Sequence, residues 1–205
     1  MIICFVNKIN TFSEINKKNL KISQQTLQDL MPTKEDIHCA CPTCGAKNKF
    51  SYHSSYERNF SFLNNDILCN VRLSVTRVIC NSCGHTHACI PDFIVPYKII
   101  SRDSILSIVS EATKTSVLEV AEKLQISFEL IYSYIAILMS FFPKVDILNK
   151  EKNFVKNFNQ KYFKLNCLKL CSNQFMTQYF NYYQWVFLMT KFQNTTSPPI
   201  RIGLN

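Results

Sequence analysis

The sequence is poor in glycine, with three among 205 residues, and it has only 14 acidic residues against 23 lysines and arginines. No uninterrupted apolar run approaches the roughly 20 residues that span a bilayer, so we expect no membrane span. The first residues lack the basic region and the small-residue cleavage site of a signal peptide. These absences favour a cytoplasmic protein, and a chain with 47% apolar residues can bury a core.

The basic excess is concentrated toward the C-terminus. From residue 144 onward, nine lysines and arginines stand against two acidic residues, which gives this segment +7 of the formal charge of +9. A basic excess favours polyanionic partners, chiefly nucleic acid or an anionic membrane surface. A lysine-rich solvated surface would have the same composition, so charge alone does not identify a partner.

Ten cysteines are many for a reducing compartment, where paired cysteines more often hold metal or do redox chemistry than form disulfides. Two of the three glycines directly follow a Cys-x-x-Cys, in CPTCG (41–45) and CNSCG (80–84). Two such turns supply four thiolates to a tetrahedral zinc ion, at about 2.3 Å from each sulfur. Glycine accepts the positive φ that would let the amides of the turn point at the thiolates. The sequence therefore predicts a Zn²⁺ site made by Cys41, Cys44, Cys80 and Cys83.

Alternatives to this zinc site remain open. A thioredoxin-like dithiol uses one Cys-x-x-Cys beside a βαβ unit, whereas this chain has two motifs and no such pattern. An iron-bound or a chance arrangement is the other alternative. Further cysteines and histidines of the region could substitute as ligands, although we expect the histidines to be surface or packing residues: Cys39, Cys69, Cys89, His38, His85 and His87. Four thiolates leave no open position for water, so a catalytic metal is not expected.

The pattern between and after the motifs predicts an α+β fold, a small zinc ribbon followed by a mainly α helix-turn-helix region. Residues 50–60 and 71–75 have strand character, and NND (64–66) predicts the turn of a hairpin. The prolines of PDFIVPY (91–97) predict an extended connector, and residues 102–142 are helical in character. The predicted divisions are an N-terminal extension (1–37), the ribbon and connector (38–97), the helix-turn-helix (98–143) and a basic, aromatic-rich C-terminal region (144–205).

Residues 116–138 have the pattern of two helices joined by a short turn. Ser116 and Glu119 form a capping box, and Ser127 can cap the second helix, whose first residues would enter the major groove. The candidate DNA-contacting residues are Ser127, Phe128, Glu129, Tyr132 and Ser133, together with Lys114 and Lys123. None of the five on the second helix is Arg or Lys, and a plain three-helix core would have the same apolar pattern.

The order of CPTCG, SYHSSYERNF and VICNSCGHTHACIPDFIVPYK before these helices resembles a bacterial family of unknown function, the one numbered 6431, over roughly residues 38–140. The stretch from Cys80 to Tyr97 is its most specific part. That family is similar to the zinc-ribbon and helix-turn-helix front end of insertion-sequence transposases, so the resemblance implies a zinc-stabilised DNA-binding module. A transposase core needs three separated acids, and after Pro143 this chain has only Asp146 and Glu151.

The predicted function is therefore that of a zinc-containing, transposase-like DNA-binding protein without a catalytic core, and not that of an enzyme. The alternative is a zinc-ribbon interaction module whose aromatic stretch (175–192) binds a protein partner or a second copy. A membrane-surface role for that stretch is the third reading. Structural zinc contributes on the order of 10–16 kcal/mol in small modules, so chelation is expected to unfold residues 38–90 and leave the helical part intact.

Overall fold

A computed structural model describes residues 2–5, 23–153, 157–170, 172–183 and 188. The strands are β1 (Ile2–Phe5), β2 (Phe50–Asn64), β3 (Ile67–Cys80) and β4 (Thr86–Pro91). The helices are α1 (Gln24–Gln28), α2 (Arg102–Lys114), α3 (Val117–Leu124), α4 (Phe128–Lys152), α5 (Gln160–Leu165), α6 (Cys167–Leu170) and α7 (Asn173–Tyr183). This mixture of helices and strands confirms the predicted α+β class.

The strands form one sheet in the order β1-β4-β3-β2. Strands β2, β3 and β4 are antiparallel, and β1 pairs in parallel with β4. The predicted hairpin is confirmed, because β2 and β3 are joined by Asn65 and Asp66, at φ 49° and 62°. Two consecutive left-handed residues match the twist of a two-residue hairpin, and Asn and Asp tolerate that conformation.

Strand β3 contributes to two separate cores. Its Leu73 and Val75 lie on one face and belong to the main core, which also contains the helices. Its Val78 and Cys80 lie on the other face, since side chains alternate along a strand. They belong to a small cluster, here called the knuckle core: Ile37, Cys41, Phe50, Val78, Cys80 and Cys89. The main core and the knuckle core therefore cover opposite faces of the sheet, at different positions along β3.

Residues before the first Cys-x-x-Cys also take part in the fold. Helix α1 buries Leu27, and Met31 just after it is buried in the same main core. The side-chain NH₂ of Gln28 donates to the backbone carbonyl of Ser74 at 3.1 Å. The side-chain oxygen of Gln28 accepts from the backbone N–H of Ser74 at 2.8 Å. Because β4 pairs with β3 only at residues 77–79, the Gln28 side chain occupies the edge of β3 that β4 leaves open.

The segment predicted as an extended connector makes turns and is buried. Arg58 of β2 donates to the carbonyls of Val95 and Lys98 at 3.1 Å and 2.5 Å. Farther along β2, the amide of Ser61 donates to Ile99 and its carbonyl accepts from Ser101. These bonds hold the segment against the far half of the hairpin, the half nearer to its turn at Asn65 and Asp66. The chain then enters α2.

Ser101, Ser116 and Ser127 cap the starts of α2, α3 and α4. Ser116 accepts from the Glu119 amide at 3.1 Å and Ser127 from the Leu130 amide at 3.3 Å, which confirms both predicted caps. Gln125, the residue that follows the end of α3, has the left-handed conformation, with φ 53°. A residue in this conformation ends many helices and satisfies the last carbonyls, so Gln125 does here what glycine usually does.

Helix α4 continues through Pro143, where the sequence division was placed, and ends at Lys152. A proline inside a helix removes one backbone hydrogen bond and costs about 3 kcal/mol. The residues beyond it explain the continuation, since Val145 and Leu148 are buried in the main core. By length and composition alone α4 could also cross a membrane, and a single helix of this kind is weak evidence for a membrane span.

The aromatic stretch 175–192 lies partly outside the described residues. In the described part, Phe175, Met176, Tyr179 and Leu188 are buried in the main core. Phe175 and Tyr179 also contact each other, with ring centroids 5.8 Å apart. These four side chains are packed inside the molecule and do not form a free surface.

Candidate metal centre

The two Cys-x-x-Cys motifs form knuckles with the same hydrogen bonds. In the first knuckle (41–46), the Cys41 amide donates to the Ala46 carbonyl at 2.9 Å, and the Gly45 amide donates to the Cys41 carbonyl at 2.8 Å. In the second knuckle (80–85), the corresponding bonds join Cys80 to His85 and Gly84 to Cys80 at the same distances. The repeated motif in the sequence thus gives a repeated local structure.

Glycine is needed in these knuckles for its backbone conformation. Gly45 and Gly84 have φ 76° and 72°, and a Cβ at either position would meet nothing within 4 Å. The two glycine amides bond to cysteine carbonyls, and other amides of the turn point at a thiolate, as the sequence suggested. The amides that donate to the Cys80 sulfur belong to Ser82 and Cys83. The glycine allows the chain to close the turn, and the closed turn directs the Ser82 and Cys83 amides toward the Cys80 sulfur.

The structure brings the four predicted ligand sulfurs together, all within 4.8 Å of one another. Cys41 Sγ lies 3.8 Å from Cys83 Sγ, and Cys44 Sγ lies 3.7 Å from Cys80 Sγ. A tetrahedron with metal–sulfur distances of 2.3 Å has edges of about 3.8 Å. Each of these close pairs joins one knuckle to the other, so the site needs both. The arrangement is compatible with a metal ion, and four sulfur ligands suit zinc or iron.

The clustered sulfurs also influence one another's ionisation. Desolvation opposes ionisation of Cys80, but hydrogen bonds from the Ser82 and Cys83 amides and neighbouring thiols lower its pKa to about 6. A hydrogen bond from the His85 backbone amide favours the thiolate form of Cys83. Burial and the three other sulfurs nevertheless raise the pKa of Cys83 to about 12. A divalent ion removes this repulsion and displaces the protons.

His87, one of the residues considered above as a substitute ligand, lies against the cluster. Its Nε2 is 3.4 Å from Cys41 Sγ, and only 1% of the residue is exposed. Burial lowers its pKa to about 4. The signal in the sequence was the alternation in THACIP, which puts His87 and Cys89 on the same face of β4.

The other candidate ligands lie outside the four-sulfur group that forms among the described residues. His38 and His85 are exposed, and Cys69 is on the far half of the hairpin. Burial raises the pKa of Cys39 to about 11 and that of Cys89 to about 12. Both thiols therefore stay protonated beside the cluster.

Five of the seven candidate DNA-contacting residues lie at the start of α4, and the two lysines lie on α2 and α3. Ser127, Phe128, Glu129 and Tyr132 are exposed and Ser133 is half-buried. Both candidate lysines have acidic partners, because Lys114 lies 3.5 Å from Glu111 and Lys123 lies 2.9 Å from Asp66. Contact of these residues with DNA stays a prediction.

Residues 41–125 match a family model described as Domain of unknown function (DUF6431). The match supports the resemblance found in the sequence. It covers both knuckles, the hairpin, α2 and α3, and it ends just before α4 begins. No curated protein and no solved structure matches the chain.

Proposed function

We propose that this chain is a zinc-containing DNA-binding protein without a catalytic core, built from a zinc ribbon and a helix-turn-helix of transposase-like type. The observation that carries the proposal is the charge around the four-sulfur cluster. Residues 37–56 and 67–91, which form the knuckles and the strands beside them, contain no Asp or Glu, and the acidic residues that flank them are Asp36, Glu57, Asp66 and Asp92. They contain four cations and all four histidines: Lys47, Lys49, Arg72, Arg77, His38, His53, His85 and His87.

Two of these cations suit phosphate contacts especially well. Lys47 and Lys49 are exposed at the first knuckle, and neither has an acidic partner among the ion pairs of the described residues. Lys114 and Lys123, in contrast, are already paired. When such a lysine contacts a phosphate, condensed counterions leave the DNA, and no ion pair within the protein has to break first. In this proposal the knuckle end of the protein therefore makes the phosphate contacts.

Helices α3 and α4 supply the part that enters the groove. They are joined by the three residues between Leu124 and Phe128, which supports a helix-turn-helix. Such a motif places the first turns of its second helix in the major groove. Glu129 has no favourable contact with phosphate, but its carboxylate can accept from a cytosine amino group. Phosphate contacts then position the protein, and the start of α4 reads bases.

Titration of a random-sequence DNA duplex with the metal-loaded chain at several salt concentrations tests the proposal. Each neutralised phosphate contributes about −0.9 to the slope of log affinity against log salt, so six contacts give a slope near −5. A flat salt response, or no binding at low salt, would contradict DNA as the partner. Metal analysis of the same sample, expected to give one zinc per chain, tests the identity of the ion.

A protein-interaction role is the second candidate, and specific exposed side chains favour it. Leu118, Phe128 and Tyr132 are 60%, 49% and 57% exposed at the starts of α3 and α4. The rings of Phe128 and Tyr132 contact each other, with centroids 6.5 Å apart. Aromatic residues are enriched in protein interfaces. Retention of a protein partner after nuclease treatment, and its loss in Tyr132→Ala, would favour this candidate.

A further inference from the structure

His87 is held beside the metal centre by the sheet. It lies in β4 opposite Val78 of β3, and its ring meets the Phe50 ring edge-on, with centroids 5.9 Å apart. The ring has little freedom to turn, because both neighbours belong to the knuckle core. Its Nε2 therefore stays directed at Cys41 Sγ, 3.4 Å away.

The position of His87 fits a hydrogen-bond donor to the centre better than a fifth ligand. Four sulfurs already supply the four ligands that a tetrahedral site needs, and His87 is not among the residues whose ligand atoms converge. Metal-bound cysteine is a thiolate, which accepts hydrogen bonds. A donor at Cys41 would act as the amides of Ser82 and Cys83 act at Cys80.

The buried ring also limits which nitrogen carries the proton. Nδ1 is buried with no hydrogen-bond partner among the described residues, whereas Nε2 faces Cys41 Sγ, so an N–H on Nε2 is the one that has an acceptor. With the proton on Nδ1, the Nε2 lone pair would face the electron pairs of a thiolate. With the proton on Nε2, an N–H points at the sulfur. The second tautomer is the favourable one whenever Cys41 binds a metal.

We infer that His87 is a positioning residue of the metal centre, an Nε2-protonated imidazole that donates to the Cys41 thiolate. The hydrogen bond fixes the orientation of the Cys41 side chain. It also offsets part of the negative charge of the four thiolates that surround one divalent ion. The inference concerns metal binding and does not depend on whether the protein binds DNA.

Metal affinity of variants of the full chain, measured by competition with a chromophoric chelator, tests this role. His87→Phe keeps an aromatic ring but has no N–H, and it is expected to bind zinc 10- to 100-fold more weakly, the usual effect of losing such a partner. His87→Gln can place an N–H near the position of Nε2 and is expected to bind more tightly than His87→Phe. His53→Gln is the control, because His53 is exposed on β2 and bonds to Ser54.

Two spectroscopic measurements distinguish the hydrogen bond from simple packing. In the cobalt-loaded chain, the thiolate-to-cobalt absorption should shift in His87→Phe and should return toward that of the native chain in His87→Gln. In the native zinc-loaded chain, nitrogen NMR should show the His87 proton on Nε2, even if His87→Phe does not fold. A proton on Nδ1, or a folded His87→Phe with native affinity, would overturn the inference.

Discussion

Asp92 and Arg102 form a buried ion pair where the chain leaves β4 and enters α2, with Arg102 Nη1 3.0 Å from Asp92 Oδ2. Each residue is 2% exposed. The Arg102 amide also donates to the Phe93 carbonyl, at 2.8 Å. Burial raises the pKa of Asp92 even though Arg102 opposes the shift, so desolvation outweighs attraction within the pair. Its structural effect is to fix the start of α2 against the end of the sheet.

The buried pair predicts a large cost for removing one partner. Arg102→Leu leaves the Asp92 carboxylate buried without its cation and is expected to lower the free energy of unfolding by about 3–5 kcal/mol. The double variant Asp92→Leu/Arg102→Leu should recover part of that loss, because no unpaired charge remains at position 92. Urea unfolding of the metal-loaded chain measures both. A single variant as stable as the native chain would contradict this account of the pair.

Metal removal is expected to unfold the knuckle end only. The sequence alone suggested loss of the whole of residues 38–90, but Phe60, Leu73 and Val75 are buried in the main core with the helices. Hydrogen exchange in a strong chelator should therefore show loss of protection at the two knuckles and retention at the far half of the hairpin. Cys44→Ser should give the same pattern without chelator. Simultaneous loss of protection in α2 would show that the two cores unfold together.

The knuckle glycines predict a cost that comes from the backbone alone. Gly45→Ala and Gly84→Ala put an L side chain at φ 76° and 72° without any clash, and each should cost about 1–2 kcal/mol. Gly84→Asn should cost less, since asparagine tolerates the left-handed region better. Thermal unfolding of the metal-loaded variants measures these differences. An alanine variant with native stability would show that the turn can relax to negative φ.

The proposed phosphate contacts predict a difference between two pairs of lysines. Lys47→Gln/Lys49→Gln should weaken binding to random duplex DNA and reduce the salt slope by about 1 per lysine. Lys114→Gln/Lys123→Gln should have a smaller effect, because these side chains are paired with Glu111 and Asp66. Metal content of each variant must equal that of the native chain. Equal salt slopes for the two double variants would contradict the assignment of the phosphate contacts to the knuckle lysines.

The proline in α4 predicts a stabilising substitution. Pro143 is exposed, so its ring contributes little packing, and Pro143→Ala restores the amide that can donate to the Met139 carbonyl. The gain should be up to about 3 kcal/mol. Denaturant unfolding measures it, with Ala136→Gly, an exposed position of the same helix, as a control expected to lose about 1 kcal/mol. A destabilised Pro143→Ala would mean that α4 needs the geometry imposed by proline.

The sequence predicted what local signals determine. Cysteine spacing and the attached glycines identified the four clustered sulfurs, Asn65 and Asp66 identified the hairpin turn, and Ser116 and Ser127 identified two caps. Each of these signals acts within a few residues of the structure that it specifies.

Long-range contacts account for what the sequence did not predict. The parallel pairing of β1 with β4 joins segments more than eighty residues apart. The approach of His87 to Cys41 depends on the register between β3 and β4 together with the fold of the first knuckle. The continuation of α4 past Pro143 depends on burial of Val145 and Leu148, and tertiary packing of this kind overrides local propensity.

The bond pair between Gln28 and Ser74 has a consequence for how the molecule behaves at high concentration. An exposed strand edge is a template on which another chain can add its own backbone and begin an aggregate. A glutamine side-chain amide can present a donor and an acceptor side by side, as a peptide unit does. At Ser74 it satisfies the groups that an incoming strand would use, and so helps to keep separate molecules from joining their sheets there.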